Sequence, residues 1–166
     1  SLRLTTKGRE LAESVVRRHR LAERLLTDVI GLEWYKAHRE AGRWEHVISD
    51  DVEEKLRALL GNPVTCPHGN PIPGEHRPPA LATMRPLTAC EVGERVRIDR
   101  VNETLEWDYE SLAYLDDHGV RPGAVLEIRS RAPDGTLTVR AGADTVALSP
   151  ALAANLFTAD ASEEGS

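Results

Sequence analysis

Through the first sixty residues, apolar side chains recur every three or four positions. Leu11, Val15, Leu21, Leu25 and Leu26 form one such series, with Arg, Glu and His between them. The spacing predicts one long helix from about Thr6 to Thr27, closed by Gly31. A second helix is predicted from about Glu33 to His46. A third begins at Ser49 or Asp50, where Asp50 and Glu53 resemble a capping box with Asp in the Ser/Thr place. Val52, Leu56, Leu59 and Leu60 form its apolar stripe, and Gly61-Asn62-Pro63 ends it. Three helices of unequal length make a poor core for a monomer, so self-association through the helical face is expected.

Six of the ten prolines then fall between Pro63 and Pro79. Proline lacks the donor N–H and fixes φ, so neither helix nor central strand runs through such a stretch. Residues 61–84 therefore read as an extended linker of polyproline character. Beyond it the period falls to two. Residues 95–99, 124–129 and 136–140 alternate, and 144–148 add a further short strand. Pro133-Asp134-Gly135 and Ala141-Gly142-Ala143 supply turns. Closely spaced short strands with tight turns predict a small barrel. Ser111 to Asp117 reads as a helix. Ser149-Pro150 opens a last short one, with serine as N-cap and proline in the first position. The fold class is therefore α+β. Its parts are a helical domain over 1–60, the linker over 61–84, a β-barrel over 85–158 and a flexible tail over 159–166.

The 166 residues are 40% hydrophobic and 29% charged, which is enough apolar content for a buried core. No apolar run approaches the roughly 20 residues needed to span a bilayer. Ser1-Leu2-Arg3-Leu4 carries no signal-peptide core. Cys66 and Cys90 make no disulfide framework. A reducing cytoplasm is the expected compartment, with no membrane partner. Net charge is −6, divided as +1 over residues 1–60 and −7 over residues 61–166. Neither segment is the basic surface expected of a DNA reader.

Candidate chemistry lies on the helices. His19 and Glu23 are four apart and face the same way. His38 and Glu45 are seven apart and share a face of the second helix, with His46 about 100° round from Glu45. Packed together, the two helices offer imidazole and carboxylate donors, the ligand set of Fe, Mn, Co, Ni and Zn. Solvated His–Glu pairs are the other reading of the same spacing. Cys66-Pro67-His68 reads as a bystander in the linker, and Cys90 as a small buried hydrophobe. His76 and His118 read as solvated, Trp34 and Trp44 as packing residues. No zinc-hydrolase signature, nucleophile elbow or phosphate loop occurs, so an enzyme is not expected.

The surrounding identities carry more. Arg18-His19-Arg20-Leu21-Ala22-Glu23-Arg24-Leu25-Leu26 is followed by Asp28-Val29-Ile30-Gly31-Leu32. Then come Glu40-Ala41-Gly42-Arg43-Trp44-Glu45-His46-Val47-Ile48-Ser49 and Pro67-His68-Gly69-Asn70-Pro71-Ile72-Pro73-Gly74. This run resembles the diphtheria toxin repressor family of iron- or manganese-dependent regulators, densely from residue 3 to about 74. The acidic second half resembles that family's SH3-like, FeoA-type domain. The resemblance implies a winged-helix DNA-binding domain, a helical metal-binding and dimerisation domain, and the SH3-like domain. It implies an ancillary metal site at His19, Glu23 and His38, completed by Glu103 and Glu106 within Asn102-Glu103-Thr104-Leu105-Glu106. Glu106 stands where the family has Gln. It also implies a primary site at Glu45 and His46. There Gly42 replaces the family's Cys ligand and keeps only a carbonyl to offer.

The cofactor implied is Fe2+ or Mn2+, with Co2+, Ni2+ or Zn2+ as substitutes. The resemblance also implies a third domain able to bind its own proline-rich linker, a passive tether being the other reading. Asn70-Pro71-Ile72-Pro73-Gly74 would be that ligand and Trp107, Tyr109 and Tyr114 the groove, unless these aromatics fill the barrel core. Ser1 to Gly8 resembles the end of the family's wing, which places the recognition helix upstream. Operator DNA is then a partner only where such a winged-helix domain exists. The function implied is the metal-sensing dimerisation core of a repressor, working as a homodimer. The alternative is a standalone metal-binding or protein-interaction module, or a short form that dimerises with a full-length repressor and disables it.

Overall fold

The computed structural model describes residues 5–74 and 84–161, which fall into two compact units, one in each stretch. Ser1 to Leu4, residues 75–83 with His76, and residues 162–166 of the acidic tail lie outside the described residues.

In the first unit, Thr5 caps helix α1 (Thr6–Arg24), its hydroxyl accepting from the Gly8 N–H at 3.1 Å. Past Arg24 the helix widens into a π-helical turn, Leu25–Ile30, and Gly31 stops it at φ 79°. That left-handed backbone costs glycine nothing, because it has no Cβ to clash. Helix α2 (Trp34–Trp44) packs on α1. Ala22, Ala37 and Ala41 are fully buried and let the backbones approach closely. Because α2 stops at Trp44, Glu45 and His46 stand in the turn after it rather than on its face.

Helix α3 (Asp50–Leu59) is capped by Ser49, whose hydroxyl accepts from the Val52 N–H at 3.3 Å. Asp50 and Glu53 therefore form no capping box. Glu53 turns instead to α1, where Arg17 and Arg18 both donate to it, Arg18 Nε at 2.9 Å. Ala22, Leu26, Ala41, Ile48 and Leu56 form a buried hydrophobic cluster, with Leu25, Leu32 and Trp44 packed against it.

Residues 62–74, which their prolines assign to an extended linker, fold back onto α1. Their carbonyls lack neighbouring N–H donors where proline intervenes, and a buried carbonyl needs a partner. Arg17, Arg20 and Arg24 lie on one helical face and supply it. They donate to the carbonyls of Pro73 at 3.5 Å, Pro71, and Thr65 and Cys66 at 2.7 and 3.2 Å. The loop also closes on itself, with Cys66 N–H on the Asn70 carbonyl and Ile72 N–H on the Val64 carbonyl, each at 2.8 Å. Cys66, His68, Asn70 and Ile72 are buried by this arrangement.

The second unit is an SH3-like β-domain. Its strands are β1 (Arg85–Pro86), β2 (Arg95–Val101), β3 (Val125–Arg131), β4 (Leu137–Ala141), β5 (Asp144–Leu148) and β6 (Leu156–Asp160). They form one antiparallel sheet in the order β1-β6-β2-β3-β4-β5. Register shifts between Ile98 and Arg100 and between Ile128 and Ser130 bend it. Val96, Ile98, Leu126, Ile128, Val139 and Leu148 fill the interior. Asp108 caps helix α4 (Tyr109–Asp117), and Ser149 caps helix α5 (Pro150–Ala153) with Pro150 in the first position. Strand β6 is absent from the sequence expectation, yet it lies between β1 and β2. No helix of the described residues is long and apolar enough to cross a membrane.

Candidate metal centre

Glu23 sits one turn after His19 on the buried face of α1, and its side chain has no exposed surface. A lone carboxylate in such a place costs several kcal/mol. Imidazoles from three segments offset that cost. Around Glu23 Oε1 stand His19 Nε2 at 3.1 Å, His38 Nδ1 of α2 at 2.9 Å and His68 Nδ1 of the 62–74 loop at 3.4 Å. His19 Nε2 and His38 Nδ1 are 2.9 Å apart. Glu23 Oε2 and both ring nitrogens of His68 are buried with no hydrogen-bond partner among the described residues, His68 Nδ1 only approaching Glu23. Cys66 completes a second group: Glu23, Cys66 and His68 each bring a donor atom within 4.8 Å of the others, as do His19, Glu23 and His38. Glu23 belongs to both groups.

Donors held about 2.1 Å from one ion lie about 3.0 Å apart when adjacent in an octahedral shell, and about 3.4 Å in a tetrahedral one. The separations around Glu23 match that range, and its orphaned oxygen is a seat for positive charge. Imidazole, carboxylate and thiol together suit a borderline divalent cation. The residues fit such an ion.

Their protons follow the same geometry. Burial works against a charged His19, but the hydrogen bond and charge of Glu23, with the Glu45 hydrogen bond, outweigh it and raise the imidazole pKa. Burial also works against a charged Glu23. Hydrogen bonds from His19 and His38, with the nearby His68 imidazole, win there and hold the carboxyl well below the usual carboxylate range.

The residues of the implied primary site are arranged differently. Glu45 turns back from the end of α2 towards α1. Its Oε2 lies 2.6 Å from His19 Nδ1 and its Oε1 3.1 Å from His46 Nε2. The His46 side chain is mostly exposed. Gly42 is exposed on α2, and a Cβ built there meets no heavy atom within 4 Å. Thus His19, Glu23 and His38 converge, while Glu45 is engaged by His19 and His46.

Glu103 and Glu106 belong to the second unit, at the 3-10 turn Leu105–Trp107, where the Glu106 N–H donates to the Glu103 carbonyl at 3.1 Å. Trp107, Tyr109 and Tyr114 are exposed rather than in the barrel core, and the Tyr114 hydroxyl donates to the Ala147 carbonyl at 3.0 Å. Cys66 and His68, read as linker bystanders from sequence, stand instead beside Glu23. The surrounding prolines hid them. The usable signal was the row of Arg17, Arg20 and Arg24, donors on one face with no acceptor assigned.

Residues 5–74 match the family described as iron dependent repressor, metal binding and dimerisation domain, and residues 85–159 match the FeoA domain. The iron-dependent repressor IdeR of Mycobacterium tuberculosis is 44% identical over 156 residues, covering 89% of this chain and 68% of the relative. The diphtheria toxin repressor of Corynebacterium diphtheriae is 42% identical over 146 residues, covering 84% of this chain and 64% of the relative. A solved manganese-dependent transcriptional repressor in complex with manganese aligns at a TM-score of 0.80 and 32% identity, over 95% of this chain and 74% of that one. Fold, donor set and likeness together define the class of metal-dependent transcriptional regulators, not enzymes. The chain belongs to the diphtheria toxin repressor and IdeR family, as its metal-binding and dimerisation domain followed by its FeoA domain. It spans 68% of the length of the mycobacterial relative.

Proposed function

We propose that this chain is the metal-sensing and dimerisation core of an iron- or manganese-dependent repressor, and that His19, Glu23 and His38 hold its divalent ion. The observation carrying this is the buried Glu23 carboxylate, one oxygen ringed by imidazole nitrogens and the other without a hydrogen-bond partner among the described residues. Cys66 and His68 stand close enough to join the shell. When bound, the ion supplies a positive charge that these donors share. His19 takes part by releasing its Nε2 proton, because Nδ1 faces the Glu45 carboxylate. His38 ties α2, and His68 ties the 62–74 loop, to the same carboxylate on α1. An ion that needs all three segments together favours the tied state over the loose one, which is how a ligand shifts a population. In the full-length regulator that shift favours operator binding. Fe2+ or Mn2+ is the physiological ion, with Co2+, Ni2+ or Zn2+ able to substitute.

Anaerobic titration of metal-free protein with Co2+ or Mn2+, counting ions per chain, tests this, with His19→Ala run alongside. About one tight ion per chain is expected, lost in the variant. No tight ion in the unaltered chain overturns the reading.

A further inference from the structure

We infer that Glu45 is a positioning residue for the metal centre, holding the His19 ring in one tautomer and one orientation without itself binding the ion. The inference rests on the metal reading above and deepens it. A carboxylate accepts hydrogen bonds and does not donate them. The 2.6 Å contact between Glu45 Oε2 and His19 Nδ1 therefore keeps a hydrogen on Nδ1. The lone pair of a neutral ring is then left on Nε2, the atom that lies 3.1 Å from Glu23 and 2.9 Å from His38. Turning the ring over would break the Glu45 contact and take Nε2 away from the cluster.

Glu45 is itself held. It is the C-cap of α2, its N–H donates to the Ala41 carbonyl at 3.0 Å, and its other oxygen lies 3.1 Å from His46 Nε2. One turn earlier on the same helix, Gly42 has no side chain with which to build a second ion site around this carboxylate. The end of α2 thus presents Glu45 to the back of a ligand rather than to an ion. A carboxylate hydrogen-bonded to the far nitrogen of a metal-binding histidine orients the ring and raises its basicity, and its loss typically costs about 10- to 100-fold in metal affinity.

The test compares the unaltered chain with Glu45→Ala and Glu45→Gln. Affinity is measured by chelator competition, ions are counted per chain, and the His19 tautomer is read by long-range 1H–15N NMR in metal-free and Zn2+-loaded protein. Glu45→Ala is expected to keep the ion count, lose about 10- to 100-fold in affinity and lose the single Nδ1–H form of His19. Glu45→Gln, whose amide oxygen still accepts, is expected to recover part of both. Where Glu45→Ala does not fold, Glu45→Gln decides by its ion count and its NMR signature. A count lower by one ion in either variant makes Glu45 a ligand and overturns the inference while leaving the metal reading standing. Unchanged affinity in Glu45→Ala also overturns it. Absence of any tight ion in the unaltered chain removes both readings.

Discussion

At position 23 a fully buried carboxylate stands between Ala22 and the helix-packing residues of α1, where an apolar side chain would pack at lower cost. Its presence makes sense only with the histidines around it. The i,i+4 pairing of His19 with Glu23 was legible in the sequence, because helical spacing fixes which side chains share a face. The spacing of Glu45 from His38 also put a carboxylate between the two helices, but its contact with His19 Nδ1 was not legible, since Glu45 lies past the end of α2 and periodicity says nothing about a side chain beyond a helix. Gly42 gives the test at this scale. It sits inside α2, exposed, with no heavy atom within 4 Å of an added Cβ and no left-handed backbone to preserve. Gly42→Ala is therefore expected to stabilise the protein by about 1 kcal/mol in urea melts, with the number of bound ions unchanged.

Elements are decided by caps and by what each helix end faces. The third helix was legible from its apolar stripe, but the sequence offered two caps and a reciprocal box that the fold does not use. Glu53 is drawn away by Arg17 and Arg18, charges from a distant part of the chain that no local pattern reveals. Burial opposes ionisation of Glu53, and the two arginines outweigh it and hold the carboxyl below its ordinary value. A lowered native pKa means the pairing stabilises fully above the unfolded carboxylate value of about 4.3 and is lost as pH falls through the native value. Glu53→Gln is thus expected to cost about 2 kcal/mol near neutral pH. Melts repeated below about pH 4 should show the gap to the unaltered protein narrowing. Strand β6 escaped notice for a related reason. It is only Leu156–Asp160, follows directly on a short helix, and earns its place by pairing with β1 and β2 rather than by a long alternating pattern.

On the scale of the whole chain, the change of period from helical to alternating separated the two units, because binary patterning survives without any knowledge of contacts. What it could not show is which faces remain uncovered within a unit. On α3, Val52 is 48% and Leu59 is 65% exposed, flanking the buried Leu56. An uncovered apolar stripe on one helix suits a chain that associates with a second copy. Val52→Asp combined with Leu59→Asp is expected to turn the dimer into a monomer by sedimentation, while ion binding within each chain persists. A dimer that survives both charges would place the interface elsewhere.

The arginine row beneath the 62–74 loop separates two properties that metal sites often set together. Cys66 and His68 ride on a segment secured largely by side chains of α1 rather than by a strand ladder. Lifting that segment breaks these bonds and the Trp34 Nε1–H bond to the Pro67 carbonyl, and exposes the buried Cys66 and Ile72, while leaving the helices intact, a local opening with its own free energy. How tightly an ion is held depends on the donors. How soon it departs depends on how often the loop lifts. Arg24→Met is expected to speed transfer of Co2+ to a chelator in stopped-flow more than it weakens equilibrium binding. Response time in such a sensor is then adjustable through residues that never touch the metal.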